Sequence, residues 1–283
     1  IAEAIRVMQD HLRRHPNDVQ VLMQLAAAAA NVGAVPQALS ALRKVVQLDP
    51  RFGHAWFGIA DLEAASGNLA EADRCYRRAG ELLPSEPTIP YNHGVVLERL
   101  GQTDVAIEAY REAIIRRNDF AQAHNNVGAL LLARAEGALA ARHFQAALRA
   151  DPSLNDAAYN LALIAEGREE RGDAESLFRH VLQRDEAHQG ALIGLARLLT
   201  GGRSEQRLEA LELCDKAIAN QPGDPAAHHA RGVVLERFRR AMDAAQSFRE
   251  AWRVSGNSMP AALADLALAL HKTKRAGDLA TRG

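Results

Sequence analysis

The chain is poor in rings: of its 283 residues only 5% are aromatic, two Trp, four Tyr and seven Phe. So few rings argue against a β-sandwich, whose strands draw on aromatic and β-branched side chains. Hydrophobic residues still reach 48%, with alanine abundant, so closely packed helices are expected instead. Cysteine is scarcer. Cys75 and Cys214 stand far apart in no metal or redox spacing and read as two lone small hydrophobes. No apolar run reaches the ~18 residues of a membrane span, so membrane insertion is not expected. The run VLMQLAAAAANVGA is broken by Gln24 and Asn31 and follows no charged leader. A net charge of −1 gives no global pull towards nucleic acid or anionic lipid. Lysine is nearly missing, with Lys44, Lys216, Lys272 and Lys274 against thirty arginines, which reads as a genome bias. The chain opens at Ile1, part-way through a pattern, and so reads as a fragment; a cytoplasmic location is the expectation for it.

Catalytic equipment is also lacking. An enzyme needs converging nucleophiles, acids or metal ligands. His11 and His15 are four apart on one helix, yet no third ligand is placed beside them. His228 and His229 are adjacent and diverge on a helix. His93 falls where other segments carry Leu25, Ile59 and Leu161, which suits a packing role. TGGRSE lacks the strand, spacing and lysine of a phosphate loop, and no GxSxG motif occurs. No enzyme activity, cofactor or metal is therefore expected. The arginines Arg74, Arg77, Arg78, Arg116 and Arg117 sit beside glutamates, as on a solvated helix face, so nucleic acid is not an expected partner.

What the chain does have is a period. HPND at 15–18, DPRF at 49–52, LPSE at 83–86, RNDF at 117–120, DPSL at 151–154 and DEAH at 185–188 follow one another at 34 residues. QPGD at 221–224 comes 36 later, the two extra residues falling in TGGRSEQ, and SGNS at 255–258 returns to 34. Proline after a helical run marks its end. Within each period two stretches carry apolar or small residues at i, i+3, i+4 and i+7, the helical spacing. Small residues recur in the first stretch at Ala26, Ala60, Gly94, Gly128, Ala162, Ala196 and Gly232. In the second they recur at Ala38, Ala72, Ala106, Ala140, Ala174, Ala210 and Ala244. A large residue follows four later at Leu42, Tyr76, Tyr110, Phe144, Phe178 and Phe248.

A 34-residue period with these small contacts, an aromatic knob and a terminal proline resembles the tetratricopeptide repeat family. The fold so implied is all-α, a right-handed α-solenoid or superhelix of about fifteen stacked antiparallel helices. One solenoid over 1–283 is expected: a half repeat at 1–18, full repeats starting near 19, 53, 87, 121, 155, 189 and 225, and a terminal helix and tail at 259–283. Some positions depart from the family pattern. Gly172 lies three residues later in its repeat than Gly101, and Pro90 and His124 sit where a bulky apolar residue is usual.

The resemblance also implies that first helices line the concave wall, with residues five and six of each facing the groove. Asn92, Asn126 and Asn160 then form a row at one spacing, similar to that in the repeat domain of O-GlcNAc transferases. A side-chain amide both donates and accepts, so a row of them suits the backbone of an extended peptide. Tyr91, Asn125, Tyr159, Phe57, Asp61, Glu98, Arg99, Arg197 and His229 complete the expected peptide-binding groove. Asparagine is common at this place in the family, so inherited consensus stands beside the peptide reading. GVVLER, at 94–99 and 232–237, either puts a Glu–Arg pair on that wall or links neighbouring helices. No lysine stands in the groove positions, so the carboxylate clamp of heat-shock co-chaperones is not expected. The function implied is a non-catalytic protein–protein interaction scaffold with a protein or peptide partner. The alternative is the substrate-recognition arm of a larger enzyme, of glycosyltransferase or sulfotransferase type, whose catalytic domain lies elsewhere in the parent protein.

Overall fold

The computed structural model describes residues 1–280, with the side chains of 1–272, and contains sixteen helices and no strand among them. Positions 281–283 of the expected tail lie outside the described residues. Two compact units divide the chain, one over residues 1–150 and one from Asp151 onward.

The N-terminal unit holds α1 (Ala2–Arg14), α2 (Val19–Asn31), α3 (Val35–Leu48), α4 (Gly53–Ala65), α5 (Leu69–Leu82), α6 (Thr88–Arg99), α7 (Thr103–Arg116), α8 (Ala121–Ala133) and α9 (Gly137–Ala150). The C-terminal unit holds α10 (Asn155–Gly167), α11 (Arg171–Arg184), α12 (Gln189–Leu199), α13 (Ser204–Asn220), α14 (Pro225–Arg237), α15 (Ala241–Val254) and α16 (Pro260–Ala280). In each unit a helix packs on the one before and the one after it. First helices of successive repeats also touch, α4 with α6 in one unit and α10 with α12, then α12 with α14, in the other. Each unit is an α-solenoid of helix–turn–helix repeats, in which a helix pair buries its apolar face only against its neighbours.

The knobs show why small residues recur. Tyr110, Phe144, Phe178 and Phe248 are fully buried, and a Cβ added at Gly94, Gly128, Gly194 or Gly232 would stand 2.6, 2.8, 2.5 or 2.4 Å from one of these rings. Glycine there lets a ring lie on helix backbone. Leu161 differs from the buried Leu25 and Ile59 in the same register, being only half-buried. Cys75 and Cys214 are buried and free, and burial pushes both thiols up to about 12.

The turn inside a repeat closes in one way, except between α12 and α13. Asn68 N–H donates to Glu63 O at 2.9 Å, Gln102 N–H to Leu97 O at 2.9 Å and Arg240 N–H to Leu235 O at 3.0 Å, with the residue before each donor in the left-handed region. Glycine takes that place at Gly33, Gly67 and Gly101, but Ala135, Glu169 and Arg239 take it later. Glu169 is 68 residues after Gly101, so Gly172 is not the displaced turn glycine and lies inside α11. The two inserted residues fall as expected around 200–206: α12 is shorter than the other first helices, the turn at 200–203 is longer, and α13 is longer.

Candidate functional site

In the N-terminal unit, position six of a first helix sits over the knob of the preceding repeat, and this decides what the asparagines meet. Asn92 lies sixteen residues after Tyr76, and Asn126 sixteen after Tyr110. Asp61 Oδ1 accepts a hydrogen bond from Tyr76 Oη at 2.5 Å and another from Asn92 Nδ2 at 3.1 Å. One repeat on, Tyr110 Oη donates to Glu98 Oε1, and Asn126 approaches the hydroxyls of Tyr110 and Tyr91. Each arrangement joins a carboxylate and a tyrosine of one repeat to an asparagine of the next. Burial pushes the Asp61 carboxyl above its ordinary range, while the bonds from Tyr76 and Asn92 pull it back only in part. Burial and the facing carboxylates push Tyr76 and Tyr110 well above the ordinary phenol range, so both hydroxyls remain donors.

The other expected groove residues of this unit divide. Phe57 is half-buried with its ring 6.2 Å from that of Tyr76. Tyr91 is wedged between Tyr110 and Phe120, at 5.6 and 4.8 Å. Asn125 Nδ2 donates to Asn126 Oδ1 at 3.4 Å, while its own oxygen is buried without a donor. Arg99 leaves the group: it donates to Ala64 O at 2.9 Å and ties α6 to the end of α4.

In the C-terminal unit, Tyr159 lies over Gly190, where an added Cβ would meet its hydroxyl at 2.6 Å, with His188 at 5.0 Å. The half-buried Asn160 makes no side-chain hydrogen bond among the described residues. Arg197 grips Glu166 with two bonds of 3.0 and 2.5 Å, His229 bonds Asp265 at 2.8 Å, and Lys272 bonds Glu236 at 2.9 Å. The two GVVLER segments form no Glu–Arg pair of their own; Glu98, Arg99 and Glu236 each bond a different helix.

The remaining candidates are engaged in packing. His11 bonds Asp18 at 2.9 Å and stacks on His15 at 4.8 Å. His93 is half-buried against Asp73 at 2.7 Å, and His228 bonds Pro222 O at 2.9 Å. Arg74, Arg77, Arg78 and Arg116 pair with acids three or four residues away on their own helices, and Arg117 covers the Phe120 ring at 3.6 Å. The tyrosine–carboxylate–asparagine groups were not read from the sequence. The recurring step of sixteen residues from Tyr76 to Asn92 and from Tyr110 to Asn126 was the available signal.

A family model described as tetratricopeptide repeat matches residues 23–87 and 91–155. The chain belongs to the tetratricopeptide-repeat family. Its repeats are similar over 114 residues, at 25% identity, to the general transcriptional corepressor ssn6 of Schizosaccharomyces pombe, covering 40% of this chain and 10% of that protein. Over 89 residues they are 32% identical to tetratricopeptide repeat protein 7B of Homo sapiens, covering 31% of this chain and 11% of that one. The matched region thus spans about a tenth of either relative. Among solved structures, YrrB, described as a tetratricopeptide-repeat protein with an unusual peptide-binding site, shares the fold at a TM-score of 0.56 and 21% identity, covering 65% of this chain and 95% of that one. Tetratricopeptide-repeat solenoids are generally non-catalytic, and the fold supports a protein–protein interaction scaffold. No helix among the described residues is long and apolar enough to cross a membrane.

Proposed function

We propose that this tetratricopeptide-repeat chain is a non-catalytic scaffold that binds an extended segment of a partner protein along its first helices. The carrying observation is the polar row on α4, α6 and α8, where Asp61, Asn92, Glu98 and Asn126 are oriented by buried tyrosines beside the rings of Phe57 and Tyr91. Holding these groups in place before a ligand arrives lowers the ordering cost of binding. Asn92 spends one amide hydrogen on Asp61, and an amide has further donor and acceptor capacity for a peptide unit. Neighbouring helices stand roughly 8–10 Å apart and extended chain rises ~3.3 Å per residue, so successive rungs meet about every third residue. Asn160 offers its whole amide in the C-terminal unit. Peptide binding by YrrB, on the same fold, lends the reading support.

The test is a display screen on the whole chain, repeated with Asn92, Asn126 and Asn160 changed to alanine. Binding should weaken by about 0.5–1.5 kcal/mol per lost backbone contact, for many sequences alike. Unchanged binding would reduce the row to an intramolecular device. The parent gene beyond residue 283 separates this scaffold from the recognition arm of a glycosyltransferase or sulfotransferase.

A further inference from the structure

Glu63 of the first helix α4 pairs with Arg43 at 2.6 Å, but Asp61 and Glu98 of the same unit differ from the first-helix carboxylates of the C-terminal unit. In the C-terminal unit Glu166 and Glu236 hold the cations Arg197 and Lys272, and Asp265 holds the His229 ring. In the N-terminal unit Asp61 and Glu98 hold none among the described residues. Their hydrogen bonds come from Tyr76, Asn92 and Tyr110, all neutral donors. Both printed bonds to Asp61 fall on Oδ1, and the bond to Glu98 falls on Oε1. Asp61 Oδ2 and Glu98 Oε2 have no protein partner among the described residues. The nearby arginine, Arg99, is occupied by the Ala64 carbonyl.

A partly buried carboxylate without a counter-charge bears a desolvation penalty that neutral hydrogen bonds offset only in part. Tyrosine clamps keep both groups oriented all the same. Asp61 and Glu98 are 37 residues apart, one repeat plus three, so the second acid sits about one helical turn along its helix from the position equivalent to the first. Val95, at that equivalent position, is exposed and uncharged. With α4 and α6 in contact, that offset corresponds to about three residues of extended chain.

We propose that the first-helix wall of the N-terminal unit selects an extended peptide carrying basic side chains, lysine or arginine, spaced about three residues apart to meet Asp61 and Glu98. The proposal rests on the peptide-scaffold reading and adds its specificity. Phe57 and Tyr91, half-buried beside the acids, offer ring surface to the aliphatic stems of such side chains. The C-terminal unit lacks this preference, because each of those acids is already paired within the chain.

The experiment uses the full chain and three labelled peptides that share an uncharged backbone sequence. One carries lysine at two positions three apart, one glutamate there, and one glutamine. Fluorescence anisotropy at low salt should show the lysine peptide binding about tenfold or more tighter than the glutamine peptide, and the glutamate peptide weakest. Asp61→Asn with Glu98→Gln should remove the lysine advantage, bringing the lysine and glutamine peptides to the same affinity, while the fold is kept because an amide oxygen still accepts from Tyr76 and Tyr110. Glu98→Gln alone should remove part of it and guards against misfolding of the double variant. A control, Glu166→Gln, should leave the preference intact. Equal binding of lysine and glutamine peptides by the native chain, with real affinity for both, would overturn the inference and leave the scaffold standing. No binding of any peptide would sink the scaffold reading and the inference with it.

Discussion

The two units are built from one repeat and treat the same positions differently. In the N-terminal unit the knobs Tyr76 and Tyr110 carry hydroxyls, and the position over each is an asparagine. In the C-terminal unit the knob Phe178 has no hydroxyl, and Gly194 lies directly on its ring. A buried phenol needs a partner for its hydroxyl, so a tyrosine knob brings a carboxylate and an amide with it. A phenylalanine knob asks only for space, and glycine supplies it. The polar groups over Tyr76 and Tyr110 are thus tied to what lies beneath them, whereas Asn160, sixteen residues after Phe144, has no such hydroxyl to answer.

The largest test of this contrast empties the knobs. Phe178→Ala should cost about 3–5 kcal/mol and open α10 to α12 first in hydrogen exchange. Even loss of protection along the whole chain would count against repeats stabilised only by their neighbours. Smaller is the removal of a hydroxyl. Tyr76→Phe and Tyr110→Phe should each cost about 1–2 kcal/mol by thermal denaturation, since a partly buried carboxylate loses its strongest donor. If either variant is as stable as the native chain, the hydroxyl is not the reason for the acid.

Next comes acid sensitivity, which the N-terminal unit carries at His143. Its Nδ1 lies 3.1 Å from His124 Nδ1, a contact that needs one ring to accept and therefore to be neutral. Burial first, then the neighbouring His124 and Arg111, pull His143 down to about 4. The unfolded chain takes up a proton near the ordinary histidine value of ~6.5. Stability from this residue is thus full above that value and falls as pH drops from there towards 4. Discounted for solvent screening, the loss should be about 1 kcal/mol. His143→Gln should flatten the denaturation midpoint across that window; an unchanged slope would place the proton elsewhere.

Asparagines give a finer comparison. Asn92→Ala should cost about 0.5–1.5 kcal/mol through Asp61, whereas Asn160→Ala, with no bond to lose and a better helix former gained, should cost nothing. Equal effects would mean that Asn92 does not support Asp61. The smallest effect concerns turns. Glu169→Gly and Arg239→Gly should each raise stability by about 0.5–1 kcal/mol, because they relieve a left-handed residue with a side chain, and Gly101→Ala should lower it by a similar amount. A loss on adding glycine at 169 would show that the side chain does something there besides closing the turn.

Much of the fold was legible because the period is written in residues that packing cannot exchange. The ends of the second helices, marked by Pro16, Pro50, Pro84, Pro152 and Pro222, the small residue against each ring and the insertion at 200–206 all fell where expected. Individual positions were less legible. Leu161 shares the register of Leu25 and Ile59 yet stays half-buried, since register alone does not state how closely the next helix approaches. Gly172 drew attention as a glycine, although the left-handed turn is closed by Glu169, whose type gives no hint of it. The site was the least readable part. Asp61 and Glu98 are displaced by one helical turn relative to the 34-residue step, so counting at a fixed period never aligns them, and the tyrosines beneath were seen only as knobs. Arg99 belonged to the expected groove by position, but its long side chain turns away to the end of α4.

The sixteen-residue step has a consequence for anyone who would cut and rejoin such a protein. Leu42 precedes Gly58, Tyr76 precedes Asn92, Tyr110 precedes Asn126 and Phe178 precedes Gly194, and each pair straddles the boundary at which repeats are conventionally divided. The matched parts are the second helix of one repeat and the first helix of the next. A chimera spliced at the loops between repeats would separate every knob from its lid, setting a tyrosine under glycine or a phenylalanine under an asparagine. A splice placed in the turn inside a repeat would carry each knob and lid across together, at the cost of separating within-repeat partners such as Gly94 and Tyr110. Interchangeable cassettes of this solenoid are therefore cut in the middle of the helical hairpin.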